Sequence, residues 1–353
     1  MTKLQVAVDV GGTFIDVVVS DMETNETRIA KILHRRGGQG EDILHAVRAL
    51  IEPSGGKLAD LDTVVIGTTV VTNALLEHDL AKAALITTAG FRDVVEIARM
   101  SRASSFDVHK RRPAPLVPRA LRLEAEERIL SDGSVHIELN EEALREQIQV
   151  LKTEKVEAVA VSLLFSFLNA SHEQRIAELL RESLNVPVSI SSQVLPVFRE
   201  YERTSTTIVN AATTPVMDKF IKGLDPIMFD GGPKIYIMGS DGGCMTMSEA
   251  QRTPVRCTLS GPAGGVIGAL NLVRQLALGD ALTFDVGGTS TDVALLHRGK
   301  SPLTDERRIG GYPVALPSVD VETVGSGGGS IAYIDRTGLL KVGPRSASSF
   351  PGP

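Results

Sequence analysis

The sequence contains only two cysteines, Cys244 and Cys257, and neither belongs to a C-x-x-C pair. Isolated cysteines of this kind are typical of reduced, buried thiols in a cytoplasmic protein rather than of a disulfide framework. Long apolar runs are also missing, because no stretch of about 18 apolar residues occurs and Asp9 interrupts the first apolar segment. We therefore predict neither a membrane span nor a signal peptide, and we expect a soluble protein of the cytoplasm.

Several familiar site motifs are absent as well. There is no G-x-x-x-x-G-K loop and no G-x-G-x-x-G, so the sequence supports neither a P-loop nor a Rossmann nucleotide site. His172 opens a His-Glu pair, but Ile176 and Ala177 follow where a zinc-binding helix needs a second His. The other histidines are scattered and are interpreted as surface residues. The net charge of −6 argues against a non-specific nucleic-acid surface.

What the sequence does contain is one eight-residue stretch that occurs twice. Residues 9–16 read DVGGTFID and residues 285–292 read DVGGTSTD. Apolar segments lead into and out of each copy, which predicts two β-hairpins with Gly-Gly-Thr tips. Glycines let backbone N–H groups approach an anion, and the preceding Asp is placed to hold hydrated Mg²⁺ beside a phosphate. A single copy is equally well an ordinary turn, whereas two copies in the same context favour phosphate binding.

A pair of such hairpins resembles the device with which the actin, Hsp70 and sugar-kinase superfamily holds the β- and γ-phosphates of ATP. The resemblance assigns the phosphates to backbone N–H groups of Gly11, Gly12, Thr13, Gly287, Gly288 and Thr289. It assigns Mg²⁺ to Asp9 and Asp285, which we also expect to be the catalytic residues. Asp16 and Asp292 follow the turns and are expected to close each hairpin through a side-chain to backbone bond.

The predicted elements near the first copy alternate as three strands, then helix, strand, helix, strand and helix. This is the order of an RNase-H-like lobe, the unit that the same superfamily repeats. We therefore expect an α/β fold of duplicated RNase-H-like, actin-like ATPase lobes. The first lobe is predicted over residues 1–200, with an inserted β-hairpin region at about 112–139, and the second over residues 201–353. Pro215 is expected to break or kink the helix predicted around it.

Further segments resemble the hydantoinase A/5-oxoprolinase family, in the order that the family has them. They are residues 67–77, 87–93, 202–207, 240–243, 260–266, 324–332 and 342–346. The resemblance spans residues 4–353, and the family also includes acetone- and acetophenone-carboxylase subunits. The chain departs from it at Ser326, where the family has Ala, and at Ser348, where the family has Gly.

The resemblance implies an enzyme that uses ATP to phosphorylate the unreactive carbonyl oxygen of a cyclic amide or a ketone. We expect ATP-dependent hydrolysis of hydantoin, 5-oxoproline or a related lactam, with this chain as the ATP-binding subunit of a two-component enzyme. The implied partner is a hydantoinase-B-like subunit. A subunit of an acetone-carboxylase-like ligase shares nearly all these motifs, and a non-catalytic actin- or Hsp70-like ATP switch is a third possibility.

Other polar residues at element ends are placed either to bind a substrate amide or to cap helices: Thr68, Thr69, Asn73, Arg203 and Thr204. The Gly-Pro-Ala-Gly-Gly helix start at residues 261–265 fits an anion site and a close helix–strand contact equally well. Family members also carry a Phe-Gly-Gly-Ala-Gly-Pro segment that resembles an adenosine-binding turn, and this sequence has no copy. We therefore expect an incomplete second lobe, and weak ATP binding by this chain alone.

Overall fold

The computed structural model describes residues 4–12, 14–34, 38–100, 109, 112–228, 232–287 and 291–347. The strands among these residues are β1 (Leu4–Val10), β2 (Phe14–Asp21), β3 (Thr27–Leu33), β4 (Leu61–Thr68), β5 (Ala83–Thr88), β6 (Arg122–Ala125), β7 (Arg128–Ile129), β8 (Val135–Ile137), β9 (Ala158–Ser162), β10 (Val188–Ile190), β11 (Lys234–Met238), β12 (Cys244–Thr246), β13 (Ala281–Val286), β14 (Thr291–Leu296), β15 (Leu303–Thr304), β16 (Arg307–Ile309), β17 (Tyr312–Val314), β18 (Ser318–Val319), β19 (Glu322–Val324), β20 (Ser330–Ile334) and β21 (Leu340–Ser346). The helices are α1 (Gln39–Ile51), α2 (Val70–Glu77), α3 (Val94–Ile97), α4 (Glu141–Thr153), α5 (Ser171–Ser183), α6 (Ser191–Val194), α7 (Glu200–Lys222), α8 (Met247–Arg252) and α9 (Ser260–Gln275). The predicted α/β class is confirmed.

A six-stranded sheet with the order β12-β11-β4-β1-β2-β3 carries the first hairpin. Strand β1 is central: it pairs antiparallel with β2 and parallel with β4. Its residues alternate, so that Val6, Val8 and Val10 are buried in the first core, to which helices α1 and α7 also contribute, while Asp9 lies on the open face. The period of two along β1 therefore decides that the Asp before the turn reaches solvent.

A second sheet, β10-β9-β5-β6, is entirely parallel. Every residue of β5 and of β9 is buried, as expected for strands that are covered on both faces. Helices α4 and α5 supply part of this core, through residues such as Leu144, Ile148 and Ile176. This sheet is separate from the one that holds the first hairpin.

The division between the two sheets differs from the predicted boundary at residue 200. The six-stranded sheet takes β1 to β4 from one side of that position and β11 and β12 from the other. Within the predicted inserted region, only β7 and β8 form a hairpin, whereas β6 joins the parallel sheet. A hydrophobic pattern identifies a strand, but it does not identify the sheet that the strand joins.

Helix α7 connects the two cores. Val209, Met217 and Phe220 contribute to the first core, and Ile208 and Ala211 to the second. The helix runs without interruption through Pro215, so the predicted break does not occur. Packing on both sides compensates for the hydrogen bond that proline removes. None of the helices in the described part of the chain is both long and apolar enough to cross a membrane.

The second hairpin belongs to a smaller sheet, β13-β14-β19, which helix α9 covers on one side. Strand β13 is at its edge, and the side chains of Leu282, Phe284 and Val286 are exposed. Buried residues of this region, such as Val266, Leu296 and Val319, form a small third core. The second hairpin therefore has much less protein behind it than the first.

Candidate functional site

The two copies of the repeated motif adopt the same hairpin register. Asp9 lies opposite Asp16 in the first, and Asp285 lies opposite Asp292 in the second. In the first tip, the Gly11 N–H donates to the Phe14 carbonyl over 3.0 Å. The predicted tip residues Thr13, Gly288 and Thr289 lie outside the described residues, so their assignment to phosphates stays a prediction.

Asp9 occupies a narrow place between strand β4 and the start of helix α9. A Cβ atom added to Gly67 would lie 3.3 Å from Asp9 Oδ1, and one added to Gly261 would lie 3.4 Å from the same atom. A side chain at Gly67 would crowd the carboxylate, and one at Gly261 would be in ordinary contact with it. The glycines of two distant segments thus leave room for Asp9 at the end of β1.

The charge of Asp9 is poorly compensated. Although solvent reaches the side chain, the walls around it desolvate the carboxylate, and this burial raises the pKa of Asp9. The negative charges of Asp16 and Asp285 raise that pKa further, while Lys31 lowers it. No hydrogen bond within the described part of the chain engages the Asp9 carboxylate. A carboxylate in this condition is suited to bind a cation.

Helix α9 links the two hairpins. Its first turn contacts Asp9 at Gly261, and its following turns line a cavity of about 390 Å³ with Asp285 and Asp292. A Cβ atom at Gly264 would lie 2.9 Å from Met238 Sδ, so this glycine serves close packing on β11. The Gly-Pro-Ala-Gly-Gly start therefore has one glycine at the carboxylate and another at a helix–strand contact.

The acidic residues after the turns bind side chains of the third strand. Both oxygens of Asp16 accept from Lys31 Nζ, at 2.9 and 2.7 Å. Asp292 Oδ1 accepts from Thr323 Oγ1 over 2.6 Å. Within the described residues, neither carboxylate makes the predicted bond to the backbone of its hairpin, and the tip residues 13 and 288–290 lie outside those residues. The third strand runs beside each hairpin and offers a side chain directly opposite, which a local turn argument does not consider.

Thr69 and Asn73, two of the candidate polar residues, lie beside the first tip. The Thr69 N–H and hydroxyl both donate to the Val10 carbonyl, at 3.2 and 3.4 Å. Asn73 Nδ2 donates to Thr69 Oγ1 over 3.1 Å, and a Cβ atom at Gly12 would lie 3.3 Å from Asn73 Nδ2. Thr68 is buried, and its backbone is hydrogen-bonded to the hydroxyl of Ser260.

Arg203 and Thr204 lie elsewhere, at the carboxyl edge of the parallel sheet. The Arg203 side chain is 1% exposed and donates to the Leu163 carbonyl over 2.6 Å. The hydroxyls of Thr204 and Ser162 are hydrogen-bonded at 2.8 Å. These contacts tie helix α7 to the end of β9, so both residues support the fold instead of facing the hairpins.

Two histidines have roles that the sequence did not reveal. His34 Nδ1 is 2.7 Å from the Gly11 carbonyl and braces the first tip. His172 is buried, with Nδ1 2.8 Å from Glu127 Oε2. The role of His34 depends on the pairing of β2 with β3. Because Phe14 lies opposite Leu33, the next residue, His34, lies beside the first tip.

The cysteine prediction held for one residue and failed for the other. Cys257 is buried, and burial raises the pKa of its thiol to about 12. Cys244 is exposed at the start of β12, an edge strand, where the neighbouring side of the sheet is open. Within the described ranges, no three His, Cys, Asp or Glu side chains converge as a metal site.

The sequence matches two protein-family models, and both the sequence and the fold are similar to those of known proteins. The family described as hydantoinase/oxoprolinase N-terminal region matches residues 5–184, and the one described as hydantoinase/oxoprolinase matches residues 203–353. The chain is 36% identical over 369 residues to caprolactamase subunit alpha of Pseudomonas jessenii, covering 100% of this chain and 52% of that protein. It is 35% identical over 373 residues to the acetophenone carboxylase gamma subunit of Aromatoleum aromaticum, covering 98% and 50%.

The crystal structure of the ATP-dependent caprolactamase from Pseudomonas jessenii superposes with a TM-score of 0.88 at 34% identity, covering 99% of this chain and 52% of that one. The chain spans about half the length of the curated relatives it matches. The two family matches follow one another along almost the whole sequence, and the first alone covers half of it. The chain therefore belongs to the hydantoinase/oxoprolinase family.

Proposed function

We propose that this chain binds ATP and transfers its γ-phosphoryl group to the carbonyl oxygen of a cyclic amide, which is then hydrolysed. Hydantoin, 5-oxoproline and related lactams are the proposed substrates. The observation that carries the proposal is the relation between the two hairpins: they share one register, and the charge of Asp285 acts on Asp9. Similarity to caprolactamase, and membership of the hydantoinase/oxoprolinase family, support the choice of substrate class.

The proposed chemistry follows from the weakness of an amide as an electrophile. When the carbonyl oxygen attacks the γ-phosphorus, a new O–P bond forms as the bond to the β,γ-bridging oxygen breaks, and ADP leaves. The carbonyl carbon then carries the phosphate, and water adds to this carbon much more readily. The ring C–N bond breaks as the nitrogen takes a proton, and a second water releases phosphate from the resulting acyl phosphate. In this proposal, the N–H groups of Gly11, Gly12 and Thr13 hold the phosphates from one side, and those of Gly287, Gly288 and Thr289 from the other.

Asp9 and Asp285 are the proposed Mg²⁺ ligands, directly or through water. The Asp9 carboxylate fits this role because its negative charge is poorly compensated. Asp285, on the other hairpin, supplies a second negative charge for the cation. Mg²⁺ commonly takes one or two protein carboxylates and completes its shell with phosphate oxygens and water. When bound, it neutralises charge on the phosphates.

The proposal includes a duplicated, RNase-H-like and actin-like architecture. The contiguous strands β3, β2, β1, β4 and β11 form the sheet of the first lobe, and the hairpin β13-β14 with β19 begins the second. The equal registers of the two hairpins support this arrangement. Relatives named as an alpha and a gamma subunit support a partner, which we propose to be hydantoinase-B-like. A cytoplasmic location is proposed because ATP is available there.

A second candidate is the ATP-binding subunit of a ketone carboxylase. The similarity to the acetophenone carboxylase gamma subunit favours it. The first step is similar, since a ketone that loses an α-proton to a base attacks the γ-phosphorus through its enolate oxygen, but carboxylation replaces hydrolysis. The two candidates therefore differ in the co-substrate that ATP hydrolysis requires.

The test measures ADP formation by the complete natural assembly that contains this chain. Hydantoin, 5-oxoproline and caprolactam are added one at a time, and acetone and acetophenone are each added with bicarbonate. The proposal expects ATP hydrolysis that depends on a lactam, with ring-opened product formed in step. Hydrolysis that depends on a ketone and bicarbonate would instead establish the second candidate. An assembly that responds to neither class contradicts both.

A further inference from the structure

We infer that Asn73 is a specificity-determining residue whose Oδ1 accepts a hydrogen bond from the N–H group of the cyclic amide. The inference rests on the proposed function and goes beyond it, because it names the substrate atom that is recognised. It predicts a preference for lactams that carry an N–H over N-substituted lactams and ketones. It is supported by the place of Asn73 beside the first tip, by the orientation of its side-chain amide, by its oxygen that no described residue binds, and by the chemistry of the lactam nitrogen.

Asn73 is placed beside the phosphate-binding tip by two links. Helix α2 begins where Thr69 is hydrogen-bonded to the Val10 carbonyl, at the end of β1. Asn73 is one turn along this helix, and its N–H donates to the Thr69 carbonyl over 2.8 Å. Its Nδ2 atom would lie 3.3 Å from a Cβ atom at Gly12. A carbonyl oxygen that attacks a phosphoryl group at this tip therefore comes close to Asn73.

The orientation of the Asn73 amide follows from a chain of donors. The Thr69 hydroxyl lies 3.4 Å from the Val10 carbonyl, which only accepts hydrogen bonds, so the hydroxyl proton points there. Thr69 Oγ1 must then accept from Asn73, which presents its NH₂ group at 3.1 Å. The Oδ1 atom is consequently directed away from Thr69. Within the described part of the chain, no hydrogen bond engages this oxygen, and the side chain is half-buried.

The chemistry requires an acceptor at that point. As the lactam oxygen attacks phosphorus, the nitrogen lone pair shifts toward the carbonyl carbon and positive charge develops on nitrogen. The N–H proton stays on nitrogen and becomes a stronger donor. An acceptor such as Asn73 Oδ1 stabilises this charge in the transition state more than in the ground state. An N-methyl lactam or a ketone has no N–H and gains nothing from it.

The test compares a lactam that the complete assembly turns over with its N-methyl derivative. Asn73→Ala is expected to lower kcat/KM for the N–H lactam by about 10- to 100-fold, and for the N-methyl lactam by no more than about twofold. Asn73→Asp retains an acceptor and is expected to restore the preference for the N–H lactam. Leu76→Ala is the matched control, because this residue is one turn further along α2 and is exposed.

A second readout does not depend on turnover. Calorimetric titration with each lactam, in the presence of β,γ-methylene-ATP, is expected to show the N–H preference in the parent and its loss in Asn73→Ala. If Asn73→Ala does not fold, as judged by its thermal unfolding midpoint, Asn73→Leu serves for both measurements, because it keeps the size of the side chain and has no acceptor.

The outcomes separate the two proposals. A parent assembly without lactam-dependent ATP hydrolysis overturns the proposed function and this inference with it. A parent assembly that turns over lactams, together with an Asn73→Ala variant that keeps the parent's N–H preference in both measurements, overturns only the role of Asn73. In that case Asn73 only stabilises the first tip, through its hydrogen bond to Thr69.

Discussion

The two Gly-Gly-Thr hairpins have nearly the same sequence and the same register, yet their surroundings differ. Val10, which follows Asp9, is 2% exposed, whereas Val286, which follows Asp285, is 61% exposed. Strand β1 is central in a six-stranded sheet, and β13 is at the edge of a three-stranded one. An Asp-Val-Gly-Gly-Thr motif therefore determines a local hairpin, while the elements packed behind it determine how much that hairpin contributes to stability.

The difference extends to the charges. Asp9 is confined between Gly67 and Gly261, and burial and neighbouring carboxylates raise its pKa. Asp285 lies on the exposed edge strand and borders a cavity under α9. The first hairpin is thus the rigid side of the candidate site, and the second is the open side. Three predictions test this contrast.

The largest expected effect comes from removing the carboxylates. Asp285→Asn should lower the rate of phosphoryl transfer by about 100-fold or more, because an amide binds Mg²⁺ poorly. Asp9→Asn should act in the same direction, more mildly. The measurement is lactam-dependent ADP formation by the complete assembly at saturating Mg²⁺. If both residues hold one ion, the double variant should lose much less than the product of the two single losses.

The thermal unfolding midpoint of Asp285→Asn should stay that of the parent, since the side chain is exposed. Unchanged turnover in this variant would show that the second hairpin is only a turn. It would also remove the basis for treating the two copies as one site.

The next effect concerns stability and uses the same residue type in the same place of each copy. Val10→Ala should lower the free energy of unfolding by about 2 kcal/mol, because two buried carbons and their packing are lost. Val286→Ala should change it by less than about 0.5 kcal/mol. Urea unfolding of the two variants measures the difference. A cost above about 1.5 kcal/mol for Val286→Ala would mean that the outer face of β13 is covered in solution.

The smallest effect is a pH dependence at Asp9. Because the folded-state pKa of Asp9 is raised, the ionised form is disfavoured in the folded protein, and this cost is present above that pKa. Without Mg²⁺, Asp9→Asn should therefore raise the thermal unfolding midpoint slightly at about pH 7. The gain should vanish as the pH falls through the folded-state pKa, where the parent carboxyl becomes protonated.

Lys31→Met sharpens the same test. Removing this positive charge should raise the pKa of Asp9 further, so the gain from Asp9→Asn should vanish at a higher pH than in the parent. A gain that is equally large at about pH 7 and about pH 4 would contradict the raised pKa.

Local features were predictable from the sequence. The duplicated motif predicted both hairpins, and the apolar segments beside each copy predicted their strands. Other features depend on a segment that is distant in sequence. Asp16 and Asp292 bind side chains of a third strand, and the helix through Pro215 continues because two cores enclose it. In each case the deciding contact is far away in sequence, and no local pattern reports it.

By itself, the sequence determined the two hairpins and the carboxylate that precedes each tip. These depend on turn chemistry and on a period of two, which act over a few residues. Only the tertiary structure decided that Gly67 and Gly261 lie beside Asp9, that Asn73 stands beside Gly12, and that Arg203 of helix α7 packs at the end of the other sheet. The physical reason is that these positions come from the pairing of β4 with β1 and from the packing of α9 and α7. Such contacts form between segments many residues apart, where the total packing of the chain outweighs local preference.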